Sequence, residues 1–222
     1  MRTVRDACVL QPNALSIQLS DQVEQLDELI MSEGDGSDYF AKTAITGGMR
    51  DLISEGLARL AGESAQAIFH LKQAMGGGKT HLLVGFGLLA RHPELRRKYA
   101  GGVSASGRFD TADIAAFNGR NNPESFFWGE IANQLGKGEL FKAFWAGGPK
   151  APDERDWLSL FDGDRPILIL LDEMPPYFHY LDTQKVGGGT VADIATRAFA
   201  NMLTAAGKSA APVNPIWSGR SQ

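Results

Sequence analysis

The sequence predicts an α/β fold: a parallel β-sheet with helices on both faces, preceded by an N-terminal helical segment. Three observations predict it. Short apolar runs bounded by turn residues, "QAIFHLK", "DIAAFNG" and "RPILILLDEM", alternate along the chain with longer segments of helical period. The last of these places five apolar residues in succession at 167–171, as a strand buried on both faces requires. The chain has 222 residues, 43% of them hydrophobic, enough for one well-buried domain.

The elements follow in order. Residues 6–19 read as irregular, broken by Pro12. In "SDQVEQLDELIM", Val23, Leu26, Leu29 and Ile30 fall on one helical face, with Ser20 or Asp21 to cap it. The acidic turn "SEGDGSD" leads to a second amphipathic helix, "GMRDLISEGLARLAG", ended by Gly62. A first strand spans 67–72, and "KTHLLVGFGLLARHPELRRKYA" is helical with a break near Pro93. "PESFFWGEIANQLG" reads as a helix started by Pro123 and stopped by Gly136, and "VADIATRAFANMLTAAGK" as a long helix. The closing "SAAPVNPIWSGRSQ" holds Pro212, Pro215 and Gly219 and reads as an irregular tail, so the sheet is expected to be incomplete at the C-terminus. This organises the chain into an N-terminal helical segment over 1–62, a core over 63–208 and a tail over 209–222.

Composition excludes several classes. The net charge of −4, with signs mixed throughout, argues against a basic protein that coats nucleic acid. Cys8 is the only cysteine, so there is no disulfide framework and no cysteine zinc site. His70, His81, His92 and His179 form no HExxH and no paired spacing. Residues 1–20 hold no apolar run long enough for a signal peptide or a membrane span, so a cytoplasmic location without membrane partners is expected.

The chemistry gathers in "FHLKQAMGGGKTHLLVGFGLL". Gly76, Gly77 and Gly78 stand where a buried strand hands over to a helix. Glycine lets successive N–H groups turn inward as a nest for anionic oxygens, and the helix adds its positive N-terminal dipole. Lys79 is placed to reach outer phosphates and Thr80 to ligate magnesium, so ATP and Mg²⁺ are the expected cofactors. The match to G-x-x-x-x-G-K-[ST] is incomplete, because Gln73 occupies its first position. A second half of the site is expected at the end of "ILILLDEM", where Asp172 would help hold magnesium and Glu173 would orient the attacking water.

With these residues in view, the chain resembles an AAA+-type P-loop ATPase. More narrowly, it is similar to the N-terminal part of a family of large prokaryotic ATPases, long catalogued as a domain of unknown function and often encoded beside DNA methylase or phage-defence genes. "YFAKTAITGGMRDLI", "FHLKQAMGGGKTHLL", "FNGRNNPESFFWGEIANQLG" and "LILLDEMPPYFHYL" carry the resemblance, across roughly residues 39–206. It implies a P-loop NTPase-like core with Gly76, Gly77, Gly78, Lys79 and Thr80 on phosphate and magnesium, Asp172 placing magnesium and Glu173 activating water. It also implies self-association or other ATPase subunits, and DNA-linked partners. AAA+ proteins carry a further strand with a polar sensor residue at its tip, a neighbour's arginine and a helical lid, none of which is legible after residue 208.

Three functional classes stand open on this reading. Glu173 favours an ATPase motor or switch domain, and the unread C-terminal parts favour a nucleotide-binding fragment without turnover. A small-molecule phosphotransferase would need a substrate site and an arginine-bearing lid. No [NT]KxD guanine-reading motif occurs. "VGGGT" at 186–190 reads as a flexible loop, "RRK" at 96–98 as a solvated helix end, and the aromatics Phe126, Phe127, Trp128, Phe141, Phe144, Trp145 and Trp157 as core packing.

Overall fold

The three expected strands form, and a fourth that the sequence does not announce is inserted between them. The computed structural model describes residues 26, 36–43, 45–73, 78–103 and 108–220. Short helix α1 (Ser37–Lys42) and helix α2 (Gly47–Leu60) lead to β1 (Phe69–Gln73). Helices α3 (Lys79–Arg91) and α4 (Pro93–Tyr99) precede β2 (Asp113–Asn118). Next come α5 (Phe127–Gln134), α6 (Gly138–Phe141), α7 (Glu154–Phe161), β3 (Ile167–Asp172) and α8 (Met174–Asp182). A two-stranded antiparallel hairpin of β4 (Lys185–Val186) and β5 (Gly189–Thr190), then α9 (Val191–Lys208) and β6 (Val213–Arg220), complete the order. The helix expected over 20–31 lies outside the described residues except for Leu26, which is helical and buried.

The main sheet is fully parallel in the order β1-β6-β3-β2. Strand side chains alternate between two cores. Ile114, Ala116, Leu168, Leu170 and Ile216 join one cluster with α2, α3 and α4. Ala115, Phe117, Ile167, Ile169, Leu171 and Val213 join the other with α5, α7, α8 and α9. The α/β architecture with helices on both faces is therefore as the sequence predicts. Phe127, Trp128, Phe141 and Trp157 are fully buried in the second cluster, and Phe126, Phe144 and Trp145 pack partly buried against it. The N-terminal helix α2 is part of the first cluster and so covers one face of the sheet.

Four readings need correction. The irregular tail over 209–222 is instead strand β6 across 213–220, and the sheet is more complete than expected. Pro215 argues against a central strand because it has no N–H to donate. The register removes the objection. Residues 213–215 pair with β3 alone, and pairing with β1 begins at Ile216. Pro215 thus stands where one side of the strand has no partner. The helix expected from Pro123 begins only at Phe127, because 119–122 turn about Asn118, whose Oδ1 accepts from the amides of Arg120 (3.0 Å) and Asn121 (3.2 Å). The loop at 186–190 is a short hairpin, with Gly187 left-handed at φ 55°.

The fourth correction concerns one residue of "RRK": Arg97 and Lys98 are exposed at the end of α4, as a solvated helix end requires, and Arg96 is not. Arg96 is fully buried, not solvated. Its guanidinium donates to the carbonyls of Leu89 (2.8 Å) and Ala90 (2.9 Å), which end α3, and to those of Phe109 (2.7 Å) and Asp110, which lead into β2. It also lies 4.0 Å from the Phe109 ring centroid. Its pKa is lowered, chiefly by burial, with Asp110 and Glu94 opposing only part of that shift. Arg59 plays a similar part, donating to the carbonyls of Val213 (3.1 Å), Ala206 (2.9 Å) and Ser64 (3.2 Å) and so tying α2 to β6 and α9.

Replacing Arg96 by Ala takes a donor from four carbonyls, of which only that of Ala90 keeps another, the Ala112 N–H at 3.1 Å, and opens a cavity. Urea denaturation of Arg96→Ala is expected to show a loss of about 3 kcal/mol or more, and a loss under about 1 kcal/mol would contradict the buried-clamp geometry. A chain ending at Ser209 lacks the strand that separates β1 from β3, so circular dichroism and thermal melting are expected to show no cooperative fold.

Candidate functional site

The site lies at the C-terminal ends of the parallel strands, where β1 hands over to α3 and β3 to α8. This is the edge at which open parallel sheets bind ligands. Gly78 adopts a left-handed conformation (φ 71°, ψ 26°) at the N-cap of α3, which a β-carbon would strain. Lys79 and Thr80 are the first two residues of that helix and are half-buried. Gly76 and Gly77, with the rest of 74–77, lie outside the described residues.

Asp172 is 1% exposed at the end of β3, the one position in that strand that buries a charged group. A buried carboxylate must find donors, and Asp172 finds three. The Thr80 hydroxyl donates to Oδ2, the Ser218 hydroxyl donates to Oδ1, and the backbone N–H of Glu173 donates to Oδ1 at 3.0 Å. That N–H also reaches the Ser218 Oγ at 3.2 Å. The structure therefore brings Thr80 into direct contact with Asp172, with Glu173 next along the chain.

Glu173 is half-buried and caps α8 from a left-handed conformation (φ 52°, ψ 39°), the only non-glycine residue with positive φ among those described. This costs of order 1 kcal/mol or more. Its position before α8 sets a carboxylate beside a helix N-terminus, where negative charge is favoured.

A wall of α1 closes one side of the α3 start. The Tyr39 ring stacks on His81 at 4.4 Å between centroids, and its hydroxyl donates to the His81 carbonyl. The Thr43 hydroxyl meets His81 Nε2 at 2.9 Å. His81 thus serves to join α1 to the first turn of α3.

Ser218 is the residue that sequence reasoning passes over. It is 2% exposed, in the strand read as a tail. The apolar pair Ile216 and Trp217 followed by a hydroxyl was a readable signal of a strand end, masked by Pro212 and Pro215. Asn118 is a second such residue: it is buried, and it stands in register with Asp172 at the tip of β2.

The donor set at Thr80 and Asp172 is oxygen only and suits a hard cation such as magnesium. Among the described residues no group of three His, Cys, Asp or Glu side chains is placed to hold a metal ion. A magnesium ion here would take its remaining ligands from phosphate and water, which is its usual habit in nucleotide sites. The Thr80 hydroxyl and the Asp172 carboxylate fit a magnesium ion.

No helix among the described residues is long and apolar enough to cross a membrane. No curated protein and no solved structure matches the chain. Residues 12–115 match the family model described as the DUF499 N-terminal domain, a span that holds the first two of the four segments carrying the resemblance. The match takes in the glycine run, Lys79 and Thr80 and stops before Asp172, so over 12–115 the chain is similar to the DUF499 N-terminal domain.

Proposed function

We propose that this chain is an AAA+-like, P-loop NTPase-type domain that binds ATP with magnesium and hydrolyses it. One observation carries the reading: the Thr80 hydroxyl and the Asp172 carboxylate, far apart in sequence, are hydrogen-bonded at the C-terminal edge of the sheet. That contact joins the segment suited to phosphate to the carboxylate suited to magnesium, and Glu173 follows directly. In this reading Gly76, Gly77 and Gly78 cradle phosphate, Lys79 balances its charge, and Thr80 and Asp172 hold magnesium. Bound magnesium would neutralise charge on the phosphates. Glu173 orients and polarises the attacking water, and its carboxylate accepts a proton from it.

Strand β6 favours turnover over a binding-only fragment. It supplies a strand next to β3 with a hydroxyl, Ser218, at the level of Asp172. Self-association with further ATPase subunits, a cytoplasmic location and a DNA-linked or phage-defence process remain part of the proposal on the strength of the resemblance.

Lys79→Ala is expected to abolish ATP–magnesium binding in an equilibrium titration, and unchanged affinity would refute the phosphate site. Chelation of magnesium should weaken ATP binding to the wild type. Glu173→Gln is expected to keep ATP affinity within about threefold while lowering phosphate release by at least about a hundredfold. Release at the wild-type rate would remove Glu173 from its assigned role. A rate per subunit that rises with protein concentration is the expected sign of sites completed between subunits.

A further inference from the structure

The Glu173 backbone packs closely against a neighbour that has no side chain. Gly119, buried just past the tip of β2, donates its N–H to the Asp172 carbonyl at 2.9 Å. A β-carbon at Gly119 would lie 2.8 Å from the Glu173 carbonyl oxygen and 2.5 Å from Tyr177 Cβ. Neither obstacle is the end of a flexible side chain. One is backbone, and the other is the root of a fully buried tyrosine. Tyr177 cannot retreat, because its hydroxyl donates to the Ser125 carbonyl at 2.8 Å and accepts from the Phe127 amide at 3.4 Å. Burial also pushes its phenol well above the usual tyrosine range, so it stays a donor.

The Glu173 backbone is thus held on both sides of its Cα. Its N–H is taken by Asp172 and Ser218, and its carbonyl rests on the bare Cα of Gly119. We propose that Gly119 is a positioning residue for Glu173: the missing side chain lets the first turn of α8 seat against the end of β2, and that seat holds Glu173 in its left-handed turn. This inference rests on the reading of Glu173 as the water-orienting group. A methyl at residue 119 forces the Glu173 carbonyl outward, which rotates the peptide and re-aims the carboxylate. The atoms a methyl would displace, the Glu173 carbonyl and Tyr177 Cβ, are assigned to neither phosphate nor magnesium, so nucleotide binding is expected to be spared.

Two measurements on the full chain test the proposal. The first is a thermal double-mutant cycle of Gly119→Ala and Glu173→Gly, which needs no turnover. Glu173→Gly is expected to raise Tm by a few degrees, since glycine adopts the left-handed turn without strain. Gly119→Ala lowers Tm, and that loss should shrink by about half or more once residue 173 is glycine, because the peptide is then free to move aside. Additive effects would overturn the proposal. If Gly119→Ala alone does not fold, recovery of the fold in the double variant supports the seat and failure to recover it overturns the seat.

The second measurement is ATP–magnesium affinity and phosphate release. Gly119→Ala should keep Kd within about threefold and KM unchanged while phosphate release at saturation falls on the order of tenfold to a hundredfold. Lost affinity with undiminished release at saturation would overturn the role. A wild type that binds ATP and releases no phosphate would count against the hydrolysis reading, and the thermal cycle would still decide whether Gly119 sets Glu173.

Discussion

The carboxylate of Asp172 is the constraint from which the arrangement of the site follows. It is almost wholly withdrawn from water at the end of a fully buried strand, so its oxygens must be satisfied from within. The donors come from three places in the chain: the start of α3, strand β6 and the next residue along. This works only if β6 lies beside β3 and α3 enters over the same edge. The strand order β1-β6-β3-β2 meets both conditions. Sheet topology and site chemistry are therefore one requirement seen at two scales.

The two edges of the sheet are electrically opposite. At the strand C-termini, α3 and α8 begin, and their free N–H groups favour anions. At the strand N-termini, α3 and α9 end, and their free carbonyls need donors. Arg96 answers the end of α3 and Arg59 the end of α9. Each guanidinium also takes a carbonyl at the approach to a strand, β2 for Arg96 and β6 for Arg59. Two arginines thus tie the helical layers to the base of the sheet and leave the opposite edge to anions.

The N-terminal helices serve both the first core cluster and the start of α3. Helix α2 buries Leu52, Ile53, Leu57 and Leu60 in the cluster that includes Ile216 of β6. Helix α1 reaches the first turn of α3 through Tyr39, Thr43 and His81. The similarity over 12–115 therefore covers a segment whose own apolar face is completed by strands beyond it, since Leu168, Leu170 and Ile216 lie in the same cluster. That interdependence is a physical reason to treat the helices and the sheet as one folding unit.

By itself, the sequence determined the elements whose signals are local. The apolar run at 167–171 became β3, the periodic stretch of α9 matched its observed limits, Pro93 broke α3 from α4, and "GKT" marked the start of α3. Those signals depend on periodicity and on backbone chemistry within a few residues, which a linear reading can see. What only the tertiary structure decided depends on partners distant in sequence. Pro215 sits in a strand because one side of it is unpaired there, Arg96 is buried because four carbonyls converge on it, and Ser218 matters because Asp172 lies beside it. A residue's neighbours across a parallel sheet are set by crossovers of many residues, and no local pattern carries that information.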